Sequence, residues 1–307
     1  MLPEAAVLDA SARRARAVAL AWRDDPAVRH VSDMLAQVPP DAIEQVADAA
    51  AVLLADDGWI APLFAPLIAA LAEDPWFEPP LRVTRDPLRT TVQVLDLPAG
   101  TLTATVFDGA ALAAQHAATL TASGRLSVAR YHRAGGARLL RWDAGPADAA
   151  FSAATAPPLR PLPPRLLDDG EVVRIDGRVR AHLIEGGGGE MVVLTFATRG
   201  GGLMREYDRA TGTLLRAATN DEAESRTRML LTLLRLGERR DAAACFDTAT
   251  RAPAFHLRWA AMREWLALDA AAALPRLRAL AQGDPHPEVR DVARRTLPLV
   301  EERLCRA

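Results

Sequence analysis

The chain of 307 residues contains no lysine: all 37 basic side chains are arginine. Two families of mechanism are thereby excluded. No Schiff-base lysine can serve pyridoxal phosphate chemistry, and no lysine can complete a phosphate-binding P-loop. Abundant alanine beside the arginine matches coding bias in a high-GC genome. Cysteine is scarce as well. Cys245 and Cys305 lie far apart without metal-type spacing and read as reduced thiols of a cytoplasmic protein. No secretory leader is expected, because Glu4, Asp9 and several arginines stand where a basic start and an apolar run would be needed. The longest apolar stretch, Trp59 to Ala72, is too short to cross a bilayer and contains Pro62 and Pro66. The formal net charge is −2 and the arginines alternate with carboxylates, so no membrane and no nucleic-acid partner is expected.

Familiar catalytic spacings are also missing. The six histidines form no HxH or HExxH pair, and no serine sits in a GxSxG elbow. The runs Gly186 to Gly189 and Gly200 to Gly202 lack GxGxxG spacing and do not join a strand to a helix. They read as hairpin loops and not as a nucleotide cradle.

Three regions are visible in the patterning. Residues 1–77 read as helical: Asp9 or Ser11 can cap a first helix, Pro26 begins a second, and Pro39 to Ala55 places Ile43, Val46, Ala50 and Leu53 on one stripe. Asp74 to Pro80 marks a boundary, after which the apolar period becomes two. Thr90 to Leu97 and Thr101 to Phe107 read as a hairpin across Pro98, Ala99 and Gly100, and further short strands follow to Ala217. Residues 78–218 are therefore expected to form an antiparallel β sandwich or barrel. Pro146 to Pro164 is expected to be a long surface loop.

From residue 219 to the C-terminus a period of 32 residues takes over. Arg226, Arg258 and Arg290 recur in step with Met229, Ala261 and Ala293, with Leu233, Trp265 and Leu297, and with Leu236, Leu268 and Val300. Such a period marks units that bury their apolar faces only by stacking. The last unit, Asp284 to Leu297, resembles the HEAT-repeat consensus at Asp284, Pro287, Val289, Arg290 and Ala293. The resemblance implies an α-solenoid with the three arginines as a structural ladder. The helix bearing Phe255, Trp259, Arg263 and Trp265 combines aromatic and guanidinium groups as binding hot spots do, while His256 and His286 fall where they could cap helices.

A second resemblance lies in the β region. Gly170, Gly177 and His182 loosely follow the second cupin motif, in which a glycine turn sends a histidine into a small barrel. Asp176 replaces the motif's proline, the spacing from Gly177 to His182 is longer than usual, and the first motif with its paired histidines is missing. The resemblance implies a metal site of His116, His132 and His182, with Glu185 or Glu190 adding an oxygen, a set suited to iron or another divalent metal. Strand alternation sets a test: if Val179, Ala181 and Leu183 face the barrel interior, His182 faces solvent. His132 shares a face with Leu126, Val128 and Arg130, which leaves its direction open.

The expected class is thus α+β, with a β sandwich or cupin-like barrel between an N-terminal helical segment and a C-terminal HEAT-like solenoid. The expected role is a non-catalytic cytoplasmic accessory protein that holds a protein or peptide partner on its repeats and β core. The alternative is a metal-dependent cupin-type oxygenase or isomerase using the three histidines; small-molecule sensing in the β core is a third reading.

Overall fold

The computed structural model describes residues 4–148 and 151–306. The chain divides into two compact units. The first comprises residues 1–145 and 158–215, so the N-terminal helices and the β core belong to one body; the second comprises residues 146–157 and 216–307. The architecture is α+β with two antiparallel sheets.

The first unit opens with helices α1 (Ala5–Arg23), α2 (Pro26–Ala36), α3 (Ile43–Ala55) and α4 (Ile60–Glu73). In α2 the expected proline start is present, and the Asp25 side chain accepts the Ala27 N–H at 2.8 Å, satisfying one of the donors a helix start leaves open. Helix α1 starts at Ala5, ahead of the expected Asp9 or Ser11 cap, and α3 starts at Ile43 and not at Pro39. Val46, Ala47, Ala50, Leu53 and Leu54 form the buried stripe of α3. Trp22 and Trp59 tie the helices together, their indole N–H groups donating to the carbonyls of Leu63 at 2.8 Å and Leu53 at 2.9 Å. Among the described residues no single helix is long and apolar enough to cross a membrane.

The strands follow as β1 (Arg82–Arg85), β2 (Arg89–Leu97), β3 (Gly100–Phe107), β4 (Thr119–Ala122), β5 (Arg125–Arg133), β6 (Arg138–Asp143), β7 (Arg160–Leu166), β8 (Glu171–Asp176), β9 (Arg180–Glu185), β10 (Met191–Gly201), β11 (Leu203–Asp208) and β12 (Leu214–Thr219). A short helix, α5 (Gly109–Ala114), capped by Asp108, lies between β3 and β4. The strands form two six-stranded sheets, ordered β1-β2-β3-β10-β5-β8 and β12-β11-β4-β9-β6-β7.

Alternation gives each sheet two apolar faces. Leu102, Leu126, Val128, Leu194 and Phe196 of the first sheet pack with the buried stripes of α2, α3 and α4. The opposite face, with Ala129, Tyr131, Val173, Ile175 and Val193, meets Leu139 and Ile184 of the second sheet. The outer face of that second sheet buries Leu120, Ala122, Ala181 and Tyr207.

Two expectations about loops are corrected here. Part of the stretch from Pro146 to Pro164 is not a loop: residues 160 onward form β7, with Pro161, Pro163 and Pro164 inside it. The strand tolerates them because it lies at a sheet edge, where a missing N–H breaks no ladder. Residues 149 and 150 of that stretch lie outside the described residues. The glycine runs are not hairpins either, because β9 and β10, and likewise β10 and β11, belong to different sheets. Gly186 to Gly189 instead make close backbone crossings: a Cβ on Gly187 would lie 2.1 Å from the Gly136 carbonyl oxygen, and one on Gly109 would lie 2.3 Å from that of Gly189.

The second unit contains α6 (Glu222–Leu236), a 3₁₀ turn (Arg240–Ala242), α7 (Ala243–Ala249), α8 (Phe255–Leu268), α9 (Ala270–Gly283) and α10 (Pro287–Cys305). A three-unit HEAT-like solenoid is not supported. In α6 the positions assigned inward by the period are solvent-facing: Met229, Leu233 and Leu236 are 66%, 63% and 65% exposed. Leu231 and Leu234 are buried or half-buried in their place. A shift of two residues turns a helix by roughly 200°, so α6 packs with the opposite side from the one the repeat required. The arginines differ accordingly. Arg226 is exposed; Arg258 forms a bidentate pair with Asp284 at 2.8 and 2.7 Å; Arg290 donates to the carbonyls of Asp284 and Pro285. Neither histidine in these turns caps a helix through its side chain. His256 Nε2 lies 2.7 Å from Glu224, and His286 stacks on Phe255 at 3.8 Å with its Nε2 3.1 Å from the Phe151 carbonyl.

Candidate functional site

Strand register decides which side chains meet between the sheets. On β9, His182 shares a face with Ile184, whose partner across β6 is Leu139, and both pack in the cluster between the sheets. Ala181 and Leu183 point the other way, into the outer cluster. The alternation test therefore has a different answer from the one expected: both faces of β9 are covered, and His182 takes the inner one.

There it lines a cavity of about 190 Å³ bounded by β8 of the first sheet and by β6, β7 and β9 of the second. Leu139, Val173 and Ile175 supply its apolar wall. Arg141, Arg165, Arg174 and Arg180 supply the rest, and no carboxylate is among the lining residues.

The charges around this cavity are unequally compensated. Arg165 is paired with Glu171, and Arg174 with Glu44 and Asp48 of α3. Arg141 has no carboxylate partner among the described residues; one Nη donates to the Pro163 carbonyl at 3.1 Å. The Nε–H groups of Arg141 and Arg165 are buried without an acceptor. Arg180 bears on Asp143, which is already bound by Arg160 and by the Gly145 N–H. Burial lowers the His182 pKa from its ordinary value, so the imidazole is neutral at pH 7. Nearby, burial pushes the Tyr131 hydroxyl up to about 12, so it stays protonated.

The other predicted metal ligands do not join His182. His132 lies on β5 on the face shared with Val128 and Arg130, the side that packs against the helices, and is exposed. His116 is exposed beyond α5, its Nδ1 2.8 Å from the Ala114 carbonyl oxygen. Glu185 pairs with Arg138 at 2.7 Å, and Glu190 is exposed. Among the described residues no group of three His, Cys, Asp or Glu side chains could hold a metal ion. The set proposed for iron or another divalent metal is thus not assembled, and the guanidinium-rich wall around His182 disfavours a bound cation.

The predicted partner-binding residues are also divided. Trp265 is 6% exposed and packs on Phe246 with ring centroids 6.4 Å apart. Phe255 is half-buried against His286. Trp259 and Arg263 line an open groove of about 650 Å³ among α6, α8, α9 and α10. Sequence reasoning missed Arg141, Arg165 and Arg180, because arginine abundance had an adequate explanation in coding bias; only the register distinguishes these from the others.

No protein-family model matches the chain, and no curated protein does. Solved structures match with low overlap. The capsular polysaccharide assembling protein CapF from Staphylococcus aureus is 14% identical with a TM-score of 0.29, covering 52% of this chain and 38% of its own. This chain therefore spans well under half of that protein. A sugar phosphate isomerase from a cupin superfamily, from Silicibacter pomeroyi, is 11% identical with a TM-score of 0.25, covering 46% of this chain and 87% of its own. A structure described among DMSP lyases is 12% identical with a TM-score of 0.28, covering 63% and 95%. The expectation of a non-catalytic adaptor is corrected here: the three-unit repeat that was to hold the partner is not formed, Met229, Leu233 and Leu236 facing solvent, and one of the four residues named for partner binding, Trp265, is buried. At such TM-scores none of these proteins indicates a reaction for this chain, and the residues of the cavity carry the functional reading.

Proposed function

We propose that the β core is a cupin-like enzyme that acts on a small molecule by proton transfer, with His182 as the acid–base group. The observation that carries this reading is a neutral imidazole lining a cavity between two sheets. A neutral imidazole accepts a proton at pH 7, and the same ring then returns the proton to a neighbouring atom. An isomerisation or an elimination needs no more than that. The arginine wall stabilises negative charge that develops as the proton leaves. His116 and His132 do not converge on His182, so the donor set does not fit a three-histidine metal centre of the kind an oxygenase would need.

Incubation of the full chain in D₂O with a panel of small hydroxy acids, keto acids and sugar phosphates, followed by ¹H NMR, tests the reading. Deuterium incorporation or turnover that is lost in His182→Gln supports it. Ligand binding in the cavity with no exchange in any compound would replace it with a binding or sensing role.

A further inference from the structure

We infer that Arg141 and Arg180 form an oxyanion subsite on either side of the His182 position, so that the ligand of this cavity bears a carboxylate or phosphate group; this deepens the acid–base reading and rests on it for the word substrate. Arg141 on β6 is the register partner of His182 on β9. Arg180 lies two residues before His182 and so shares its face. Directly opposed residues on one face have Cβ atoms about 4.5 to 5.5 Å apart, within the reach of a long side chain to the same ligand atom. Two guanidinium groups and one imidazole are thus carried on a single small area of sheet.

The electrostatics distinguish these two arginines from their neighbours. Glu171 compensates Arg165, and Glu44 with Asp48 compensates Arg174. Arg141 has only a neutral carbonyl as its hydrogen-bond partner among the described residues, and its Nε–H is sealed from water without an acceptor. Arg180 has no hydrogen-bonded carboxylate there, since Asp143 is taken by Arg160. Guanidinium groups that hold no carboxylate of their own by hydrogen bonds are stabilised by an anion bound between them, and the planar fork of arginine suits the paired oxygens of carboxylate or phosphate. No carboxylate lines the cavity, and Asp143, which stands opposite Arg180 in the register, is held by Arg160 and the Gly145 N–H.

The test is titration of the full chain with inorganic phosphate and, separately, with malonate, followed by calorimetry and by the His182 ring signals in NMR. Saturable binding of at least one probe is expected. It should weaken tenfold or more in Arg141→Met and in Arg180→Met, and remain unchanged in Arg138→Met, whose arginine is on the same strand as Arg141 but on the opposite face. Phosphate alone, or malonate alone, would identify which oxyanion the subsite takes. Binding should also raise the His182 pKa, because an anion beside an imidazole favours its charged form. If Arg141→Met fails to fold by circular dichroism, Arg180→Met at an exposed position still decides the matter. Absent binding of both probes, or equal binding in the Arg138 and Arg180 variants, overturns the subsite. His182→Gln separates the two readings: retained anion binding without turnover leaves the subsite standing, whereas turnover insensitive to Arg141 and Arg180 leaves only the acid–base role.

Discussion

Arg141 and His182 stand directly opposite each other on adjacent antiparallel strands, 41 positions apart in the chain. One carries a permanent charge without a carboxylate partner among the described residues; the other is held neutral by burial. That juxtaposition makes the cavity basic in charge while leaving it a group able to accept a proton.

The titration of His182 should be visible in folding. An unfolded histidine titrates near 6.5, and burial holds the folded value lower. Between those values the unfolded chain binds more protons, so stability is full above about pH 6.5 and is lost as pH falls through the folded pKa. NMR of the ring should find a midpoint below 6.5, and His182→Gln should flatten the dependence of melting temperature on pH between about pH 7 and pH 5. A midpoint at or above 6.5 contradicts the burial argument.

The Arg258 and Asp284 side chains are 7% and 1% exposed, so their pairing should matter far more than that of a surface arginine. Burial alone would push the Asp284 carboxyl up; the Arg258 guanidinium and the His286 N–H outweigh it and hold it below the usual range. Arg258→Ala leaves that carboxylate uncompensated, and urea unfolding should show a loss of about 3 to 5 kcal/mol. Arg226→Ala, at an exposed position, should change stability by less than about 0.5 kcal/mol. Equal losses in the two variants would restore the ladder expected from the period of 32.

Arg130 closes the C-terminal end of α3. Its guanidinium donates to the carbonyls of Leu54 at 2.9 Å and Ala55 at 3.1 Å, and pairs with Asp57 at 2.7 Å. Arg130→Met keeps much of the packing volume and removes those bonds, so a loss of about 1 to 3 kcal/mol is expected in denaturant unfolding. A variant as stable as the parent would mean that water serves the helix end equally well.

Gly187→Ala should be costly for steric reasons, since the added carbon meets the Gly136 backbone at 2.1 Å. A melting-curve loss of about 1 to 3 kcal/mol is expected, the range for forced overpacking. Gly202→Ala has no atom within 4 Å and serves as the comparison, with a change of less than about 0.5 kcal/mol expected.

Local chemistry accounts for the parts of this protein that were legible in its residues. The start of α2 could be read because a capping aspartate and a proline act within one turn, and the β-rich middle because alternation is a property of neighbouring residues. The strand β4 and the helix α5 escaped, being only 4 and 6 residues long and therefore too short for a periodic signal. The prolines of β7 argued against a strand until its place at a sheet edge was known. In α6 the repeat of 32 predicted an inner stripe through Met229 and Leu233, but the neighbouring helices accept Leu231 and Leu234, a choice that depends on packing partners and not on the helix itself.

The same division runs through the site. Residue chemistry excluded lysine-dependent mechanisms, because side-chain identity alone settles which reactions are available. Only the resemblance to the cupin motif places His182 inside a barrel, strand alternation pointing it to solvent. Pairing across long sequence separations decided its company: it set Arg141 opposite His182, turned His132 to the helix-covered face and left His116 in solvent. Register shifts of one residue reverse a side chain's face, so no inspection of separate strands could have chosen arginines over histidines for that cavity.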